Sequence, residues 1–212
     1  MASVMKQIEM CGIVPVIVIN DAAQAVPLAK ALLAGGIRVI EITFRTAAAR
    51  EALARIKNGV PDMLAGAGTI LSPEQLDAAL DAGASFAVSP GLDADLVRAA
   101  QERQCPILPG AVTPSEIMQG LLLGLDTFKF FPAENYGGLA TIQALCGPFP
   151  GIRFVPTGGI SAKNAADYLK SPKILAIGGS WMAPKELIEA GDFAEILRRT
   201  EQAVAMLRSI RP

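Results

Sequence analysis

The chain of 212 residues contains no histidine. Zinc hydrolases depend on histidine ligands, and Ser-His or Cys-His nucleophilic systems need an imidazole base, so these mechanisms are largely excluded. Cysteine is also scarce, because only Cys11, Cys105 and Cys146 occur and they form no CxxC pair. Widely separated cysteines are typical of reduced thiols, so we expect a cytoplasmic protein without a metal site.

Charged residues and long apolar runs are few. Charged residues make up 18% of the chain, the net charge is −1 and there is no basic run, which argues against a nucleic-acid partner. The strongest apolar run, residues 13–19, contains a proline and is far shorter than the about 20 residues that a membrane-spanning helix needs. We therefore expect no membrane partner. Hydrophobic residues reach 51%, so we expect another subunit to cover part of the surface.

Short apolar segments alternate with helical segments from residue 13 onward. This alternation predicts an α/β fold, a single (β/α)8 TIM barrel that spans residues 1–212 as one domain, with an extra N-terminal helix at 2–11. An open doubly wound sheet is the alternative, but no GxGxxG follows the first strand. The eight predicted strands are 13–19, 39–44, 63–68, 86–90, 106–110, 127–132, 153–158 and 174–179.

Lys129 is the most unusual residue of the sixth predicted strand, within TFKFFPAE at 127–134. Strand alternation places Phe128 and Phe130 on one face and Lys129 on the other, and neither face has a solvated composition. Desolvation favours the neutral, nucleophilic form of an amine. Lys129 is therefore either the reactive centre of an enzyme or a tolerated buried cation.

The second predicted strand supplies the partners that a reactive lysine needs. Alternation places Glu41, Thr43 and Arg45 on one face, where the carboxylate can act as acid or base and the guanidinium can bind a carboxylate. Amine, carboxylate and cation together are the composition of a Schiff-base site. The alternative is a buried ion pair between Glu41 and Lys129 that has no chemical role.

Small and hydroxyl residues end several of the other strands. Thr69 follows the third strand and Thr157 lies at the end of the seventh, where they are either ordinary β-branched residues or hydrogen-bond donors to a substrate. Glycine pairs at the ends of the seventh and eighth strands predict a phosphate site, because their backbone N–H groups can converge on an anion. The alternative is that tight turns require these glycines. The phosphate-site candidates are Gly158, Gly159, Gly178, Gly179 and Ser180.

Six motifs resemble those of the bacterial 2-keto-3-deoxy-6-phosphogluconate (KDPG) aldolase family, which includes 4-hydroxy-2-oxoglutarate aldolases. They occur in order along essentially the whole chain, and FKFFPAE together with PTGGI is more specific than any glycine pattern. The motifs are EITFRT (41–46), GAGT (66–69), SPG (89–91), FKFFPAE (128–134), PTGGI (156–160) and GGSW (178–181).

The resemblance implies a homotrimer of (β/α)8 barrels and a class I, pyruvate-dependent aldolase of the Entner–Doudoroff pathway. Such an enzyme cleaves KDPG, a phosphorylated 2-keto-3-deoxy sugar acid, to pyruvate and glyceraldehyde 3-phosphate, and often also 4-hydroxy-2-oxoglutarate to pyruvate and glyoxylate. It requires no metal or organic cofactor. Other possibilities are an aldolase for the galactonate epimer of KDPG, a phosphosugar isomerase or decarboxylase, and a non-catalytic barrel that binds a phosphorylated sugar acid.

The resemblance also implies a role for each candidate residue. Lys129 would form the Schiff base, and Glu41 would be the general acid and base. The pyruvate-derived end would be held by Arg45, Thr69 and Thr157, and the phosphate pocket would be lined by Gly158, Gly159, Gly178, Gly179 and Ser180.

Overall fold

The computed structural model describes residues 3–211, which form an α/β fold of parallel strands and surrounding helices. The helix predicted before the first strand is present as α1 (Val4–Cys11), and the Ser3 side chain caps it by accepting a hydrogen bond from the Lys6 backbone N–H. Residue 2 of that predicted helix lies outside the described residues. The assignment of residues 1–212 to one domain stays a prediction.

Among residues 3–211, eight strands occur where apolar segments predicted them, and all eight are shorter than predicted. Glycine and proline residues end many of these segments, and they shorten the regular part of each strand. The strands are β1 (Ile13–Ile17), β2 (Val39–Thr43), β3 (Leu64–Gly68), β4 (Ala87–Val88), β5 (Ile107–Leu108), β6 (Thr127–Phe130), β7 (Arg153–Pro156) and β8 (Ile177–Gly179).

Helices follow the strands, and several begin at a side-chain cap that the sequence contains. Thr113 and Glu116 form a reciprocal capping box, while Ser72 and Asp93 accept hydrogen bonds at their own helix starts. The remaining helices are α2 (Ala25–Ala34), α3 (Ala49–Gly59), α4 (Pro73–Asp81), α5 (Ala94–Glu102), α6 (Pro114–Leu122), α7 (Gly138–Cys146), α8 (Ala165–Lys170), α9 (Lys185–Glu189) and α10 (Phe193–Ile210).

The prediction of a closed, eight-stranded (β/α)8 TIM barrel is wrong. The strands form a six-stranded parallel sheet in the order β5-β4-β3-β2-β1-β8 and a separate two-stranded sheet of β6 and β7. In the described part of the chain, only isolated backbone bridges join the two sheets. Gly110 pairs with Lys129 on one side, and Phe154 and Thr157 pair with Ile174 and Gly178, respectively, on the other. Strand and helix alternation predicts the order of the elements. It carries no information on how many residues pair across each seam, the boundary at which a strand of one sheet meets a strand of the other.

Two apolar clusters cover the two faces of the strands. The outer cluster lies between the strands and the helices and includes Phe128, Phe130 and Phe154. The inner cluster is smaller, and Ile8 of α1 packs into it. Its other buried members are Val14, Val39, Phe86, Val88, Leu108, Val155, Leu175 and Ala176.

Within residues 3–211, no helix has both the length and the apolar character needed to cross a membrane.

Gly66 is predicted to be essential for packing of the inner cluster. A Cβ atom at this position would overlap the Phe86 ring, which is buried, so Gly66→Ala forces that ring to move. We expect the free energy of unfolding to fall by about 1–3 kcal/mol, as for other overpacked cores. Gly151→Ala is the matched control because nothing lies within 4 Å of its added Cβ. Urea denaturation of both variants tests this, and equal stability would contradict it.

Candidate active site

Lys129 and Glu41 form an ion pair on the inner face of the strands. Lys129 pairs with Val155 in the β6–β7 register, and Val155 belongs to the inner cluster, so the lysine has the same orientation. Glu41 lies two residues after Val39, another member of that cluster. The Nζ atom of Lys129 lies 3.1 Å from Oε1 and 3.5 Å from Oε2 of Glu41. Lys129 is only 4% exposed and Glu41 only 3%, so water screens this pair weakly.

Gly68 leaves the space that the Glu41 carboxylate occupies. A Cβ atom built on Gly68 would lie 2.6 Å from both Cγ and Cδ of Glu41, so any larger residue displaces the carboxylate. Gly68 belongs to the quoted GAGT motif, but the sequence alone did not distinguish its role from that of an ordinary strand glycine. The structure therefore adds Gly68 to the residues that shape the site.

The backbone around Lys129 crosses the seam between the two sheets. The backbone N–H of Lys129 donates to the Pro109 carbonyl oxygen at 2.8 Å, and its carbonyl oxygen accepts from the Ala111 N–H at 3.0 Å. The Phe131 ring centroid lies 5.6 Å from Nζ, within the range of a cation–π contact. These contacts hold the amine at the carboxyl end of β6, beside the apolar surface of Phe131.

Arg45 and Thr69 lie together at the carboxyl ends of β2 and β3. The Nε–H of Arg45 donates to Oγ1 of Thr69 at 3.0 Å, and Arg45 is exposed. Thr69 has a φ of +59°, which is rare for a β-branched residue and is typical of strained positions in functional sites. Thr43 was predicted to lie on the same face as Glu41 and Arg45. Its hydroxyl donates a hydrogen bond to the Ile17 carbonyl oxygen at 2.9 Å, so it joins β2 to β1.

The loops after β7 and β8 meet beside the end of β6. Thr157 forms a parallel bridge with Gly178, and the Thr157 carbonyl oxygen accepts a hydrogen bond from the Ala133 N–H at 2.8 Å. Gly158 and Gly159 have φ values of +101° and +76°, which favour glycine. Gly179 is buried against Trp181, and Ser180 is exposed. The five predicted phosphate-site residues thus lie in the loop after β7 and at the carboxyl end of β8, which Ser180 follows.

Asn164 supports the loop after β7, and sequence reasoning gave it no role. Its Nδ2–H donates to the Gly159 carbonyl oxygen at 3.1 Å, and its Oδ1 accepts from the Ser161 N–H at 2.8 Å. An asparagine just before a helix is a recognisable signal for such backbone bonding. A second contact, between Tyr168 and Glu134, joins residues too distant in the sequence for any local signal to reveal it.

The three cysteines are poor nucleophiles. Burial raises the pKa of the Cys11 and Cys146 thiols and raises that of Cys105 to about 11, so all three thiols are protonated at neutral pH. Among residues 3–211, no group of three or more His, Cys, Asp and Glu side chains could hold a metal ion. The buried amine and carboxylate are the groups best placed for chemistry.

The family model for KDPG and KHG aldolases matches residues 4–199. The chain belongs to the KDPG and KHG aldolase family. It is 52% identical over 193 residues to the 2-dehydro-3-deoxy-phosphogluconate aldolase of Dickeya dadantii, covering 91% of each chain. Members of this family are carbon–carbon lyases, and this chain is an aldolase.

Two solved structures of KDPG aldolases are similar to this chain. That of Legionella pneumophila has a TM-score of 0.91 and 42% identity, covers 93% of this chain and 96% of its own, and holds pyruvate as a covalent carbinolamine intermediate. That of Zymomonas mobilis, with 3-phosphoglycerate, has a TM-score of 0.89 and 44% identity, with 97% of each chain covered. The predicted resemblance to the KDPG aldolase family is thus confirmed.

The Lys129–Glu41 pair is expected to show strong energetic coupling. Lys129→Met leaves a buried carboxylate without its partner, so we expect the free energy of unfolding to fall by about 3–5 kcal/mol at pH 8. In a Glu41→Gln background the same lysine substitution should cost much less, because no unpaired charge remains. Urea denaturation of the wild type, both single variants and the double variant gives the coupling energy. Additive effects would show that the two groups do not interact.

Proposed function

We propose that this chain is a class I aldolase that cleaves KDPG into pyruvate and glyceraldehyde 3-phosphate through an imine on Lys129. The observation that carries the proposal is the buried Lys129 amine, held 3.1 Å from the Glu41 carboxylate. Membership of the aldolase family and the covalent carbinolamine in the Legionella pneumophila relative support this chemistry. The absence of histidine from the chain agrees with a mechanism based on an amine and a carboxylate.

The first half of the reaction forms an electron sink. The lysine proton passes to the Glu41 carboxylate, and the neutral amine of Lys129 attacks the C2 ketone carbon to form a carbinolamine. The protonated Glu41 then gives a proton to the departing hydroxyl, so that water leaves and an iminium ion remains. Glu41, directly or through water, removes the proton from the C4 hydroxyl. The C3–C4 bond then breaks, its electron pair moves toward the iminium nitrogen to form an enamine, and glyceraldehyde 3-phosphate leaves as the aldehyde.

The second half releases pyruvate. The enamine carbon that was C3 accepts a proton, for which Glu41 in its acid form is well placed, and this restores the iminium ion. Water then adds to C2, the C–N bond breaks, and pyruvate leaves while Lys129 regains its free amine. No redox change occurs. The water molecule that leaves when the iminium ion forms is replaced by the one that hydrolyses it, and the proton taken from the C4 hydroxyl is replaced by the one given to the enamine carbon.

We assign the two ends of the substrate to different parts of the site. Arg45, Thr69 and Thr157 would bind the pyruvate-derived end. Arg45 and Thr69 are hydrogen-bonded to each other, and Thr69 directly follows Gly68, which lies against the Glu41 carboxylate. The phosphate would lie against Gly158, Gly159, Gly178, Gly179 and Ser180. The 3-phosphoglycerate in the Zymomonas mobilis structure supports a phosphorylated ligand for this family.

A second substrate is 4-hydroxy-2-oxoglutarate, since the family description includes KHG aldolases. It has the same pyruvate half as KDPG and no phosphate, so it requires the same two catalytic groups. We also propose the homotrimer and the Entner–Doudoroff role that the resemblance implied, and the cytoplasmic location stays a prediction. A non-catalytic binding protein would be stabilised by phosphorylated sugar acids without forming an adduct.

Reductive trapping tests the imine. Sodium borohydride with pyruvate should add one reduced pyruvate to Lys129, because the reductant converts the imine to a stable secondary amine. Intact-protein and peptide mass spectrometry measure the mass and position of the adduct. The Lys129→Met variant is the control and should gain no mass. An adduct on another lysine, or none on the wild type, would overturn the mechanism.

Replacement of Glu41 separates imine formation from turnover. In Glu41→Gln the Lys129 amine remains and can still form an imine with pyruvate, but the acid and base function is lost. We expect kcat for KDPG cleavage to fall about 10²- to 10⁴-fold. A coupled assay for pyruvate release gives kcat, and borohydride trapping of the same variant shows whether the imine forms. Turnover at the wild-type rate would remove Glu41 from its assigned role.

A further inference from the structure

Helix α8 holds the loop after β7 and a neighbouring carboxylate from the same side. Asn164 and Tyr168 lie one helical turn apart, so their side chains extend in similar directions. Asn164 binds the backbone of Gly159 and Ser161, as described above. Tyr168 donates its hydroxyl hydrogen bond to Oε1 of Glu134, which follows β6 in the FKFFPAE motif. The reaction mechanism uses neither Tyr168 nor Glu134.

The Tyr168 hydroxyl remains able to donate a hydrogen bond as the pH changes. Its side chain is only 3% exposed, and burial together with the Glu134 carboxylate raises the pKa of Tyr168 far above neutral pH. The phenol therefore remains protonated over the pH range in which the enzyme would work. A protonated phenol can hold a carboxylate in one position, because hydrogen bonds to a charged acceptor are stronger than neutral ones.

Glu134 lies directly against the loop that we assign to the phosphate. Its backbone N–H donates to the Gly158 carbonyl oxygen at 3.1 Å. The three atoms nearest to a Cβ atom built on Gly159 are Cγ, Cβ and Cα of Glu134, at 2.5, 2.7 and 3.9 Å, so the stem of the side chain packs on the loop and the carboxylate lies farther away. If the Glu134 carboxylate rotated toward Gly159 it would approach a phosphate bound there, and two like charges that close together repel each other.

The hydrogen bond from Tyr168 holds the Glu134 carboxylate beside Gly138, at the start of α7. A Cβ atom on Gly138 would lie 2.6 Å from the Tyr168 hydroxyl oxygen and 2.9 Å from Oε1 of Glu134, so glycine leaves the space for this contact. The amino end of a helix also favours a negative charge. The carboxylate is thus held where its charge is partly compensated.

We propose that Tyr168 is a positioning residue that favours phosphorylated substrates, because it holds the Glu134 carboxylate away from the Gly158–Gly159 loop. This inference rests on the proposed function and on the phosphate assignment within it. Tyr168 does not contact the reacting atoms, and its effect is confined to the phosphate end. Loss of the hydroxyl would free the carboxylate to approach Gly159 and to repel a bound phosphate.

The test is Tyr168→Phe, which removes the hydroxyl and keeps the ring. We expect kcat/KM for KDPG to fall about tenfold, mainly through a higher KM, because a charge-assisted hydrogen bond is lost and a repulsion is gained. For 4-hydroxy-2-oxoglutarate, kcat/KM should be unchanged, as should the rate of pyruvate trapping on Lys129. The ratio of the two kcat/KM values is the measurement.

A double variant distinguishes charge from packing. In Tyr168→Phe with Glu134→Gln the side chain is free but neutral, so kcat/KM for KDPG should return close to that of the wild type. Tyr136→Phe is the control, since Tyr136 lies in the same segment as Glu134 and is 53% exposed. It should behave as the wild type does, and thermal unfolding of all variants shows whether each remains folded.

Four outcomes would overturn the inference. An unchanged KDPG reaction in Tyr168→Phe would show that the hydroxyl has no influence on phosphate binding. Equal losses with KDPG and with pyruvate trapping, or no recovery in the double variant, would show a structural role alone. If the wild type neither cleaves KDPG nor traps pyruvate, the proposed function fails and this inference fails with it, whereas the other outcomes leave the proposed function intact.

Discussion

The buried contact between Lys129 and Glu41 is the interaction on which the arrangement of the site depends. Two opposite charges removed from water are stable only when each has its partner in good geometry. That geometry requires inner-face orientation in β2 and in β6, and it requires the space that Gly68 leaves beside the carboxylate. The apolar inner cluster lies on the same face and supplies the low-polarity surroundings. Packing and chemistry therefore impose the same requirements on the strands.

Much of the site could be predicted because the side-chain period of a strand is two. Alternation alone placed Lys129 opposite Phe128 and Phe130, and the structure has the two phenylalanines in the outer cluster and the lysine on the inner face. The same rule placed Glu41 and Thr43 on one face. It could not show that the Thr43 hydroxyl bonds to the Ile17 carbonyl oxygen, because a hydroxyl's partner depends on the neighbouring strand. Strand alternation predicts the face on which a side chain lies, whereas the tertiary structure determines which group that side chain contacts.

Other features lay beyond the sequence for the same reason. The closed barrel was wrong because pairing across the two seams depends on strand lengths in three dimensions, and β5 has only Ile107–Leu108 in regular strand conformation. The contact between Tyr168 and Glu134 joins a helix to the end of a strand that precedes it by one complete strand–helix unit. No local pattern marks such a pair. The glycine loops were found because glycine pairs at strand ends are a local signal.

The groups that we assign to the substrate come from both sheets. The two-stranded sheet supplies the amine of Lys129 and the loop with Gly158 and Gly159, whereas the six-stranded sheet supplies Glu41, Arg45 and the loop after β8. Because continuous backbone ladders are missing between the two sheets, a ligand that contacts both of them would hold them together. The relative position of the two sheets and ligand binding at the site are then thermodynamically linked, since a ligand that binds one arrangement of the sheets stabilises that arrangement.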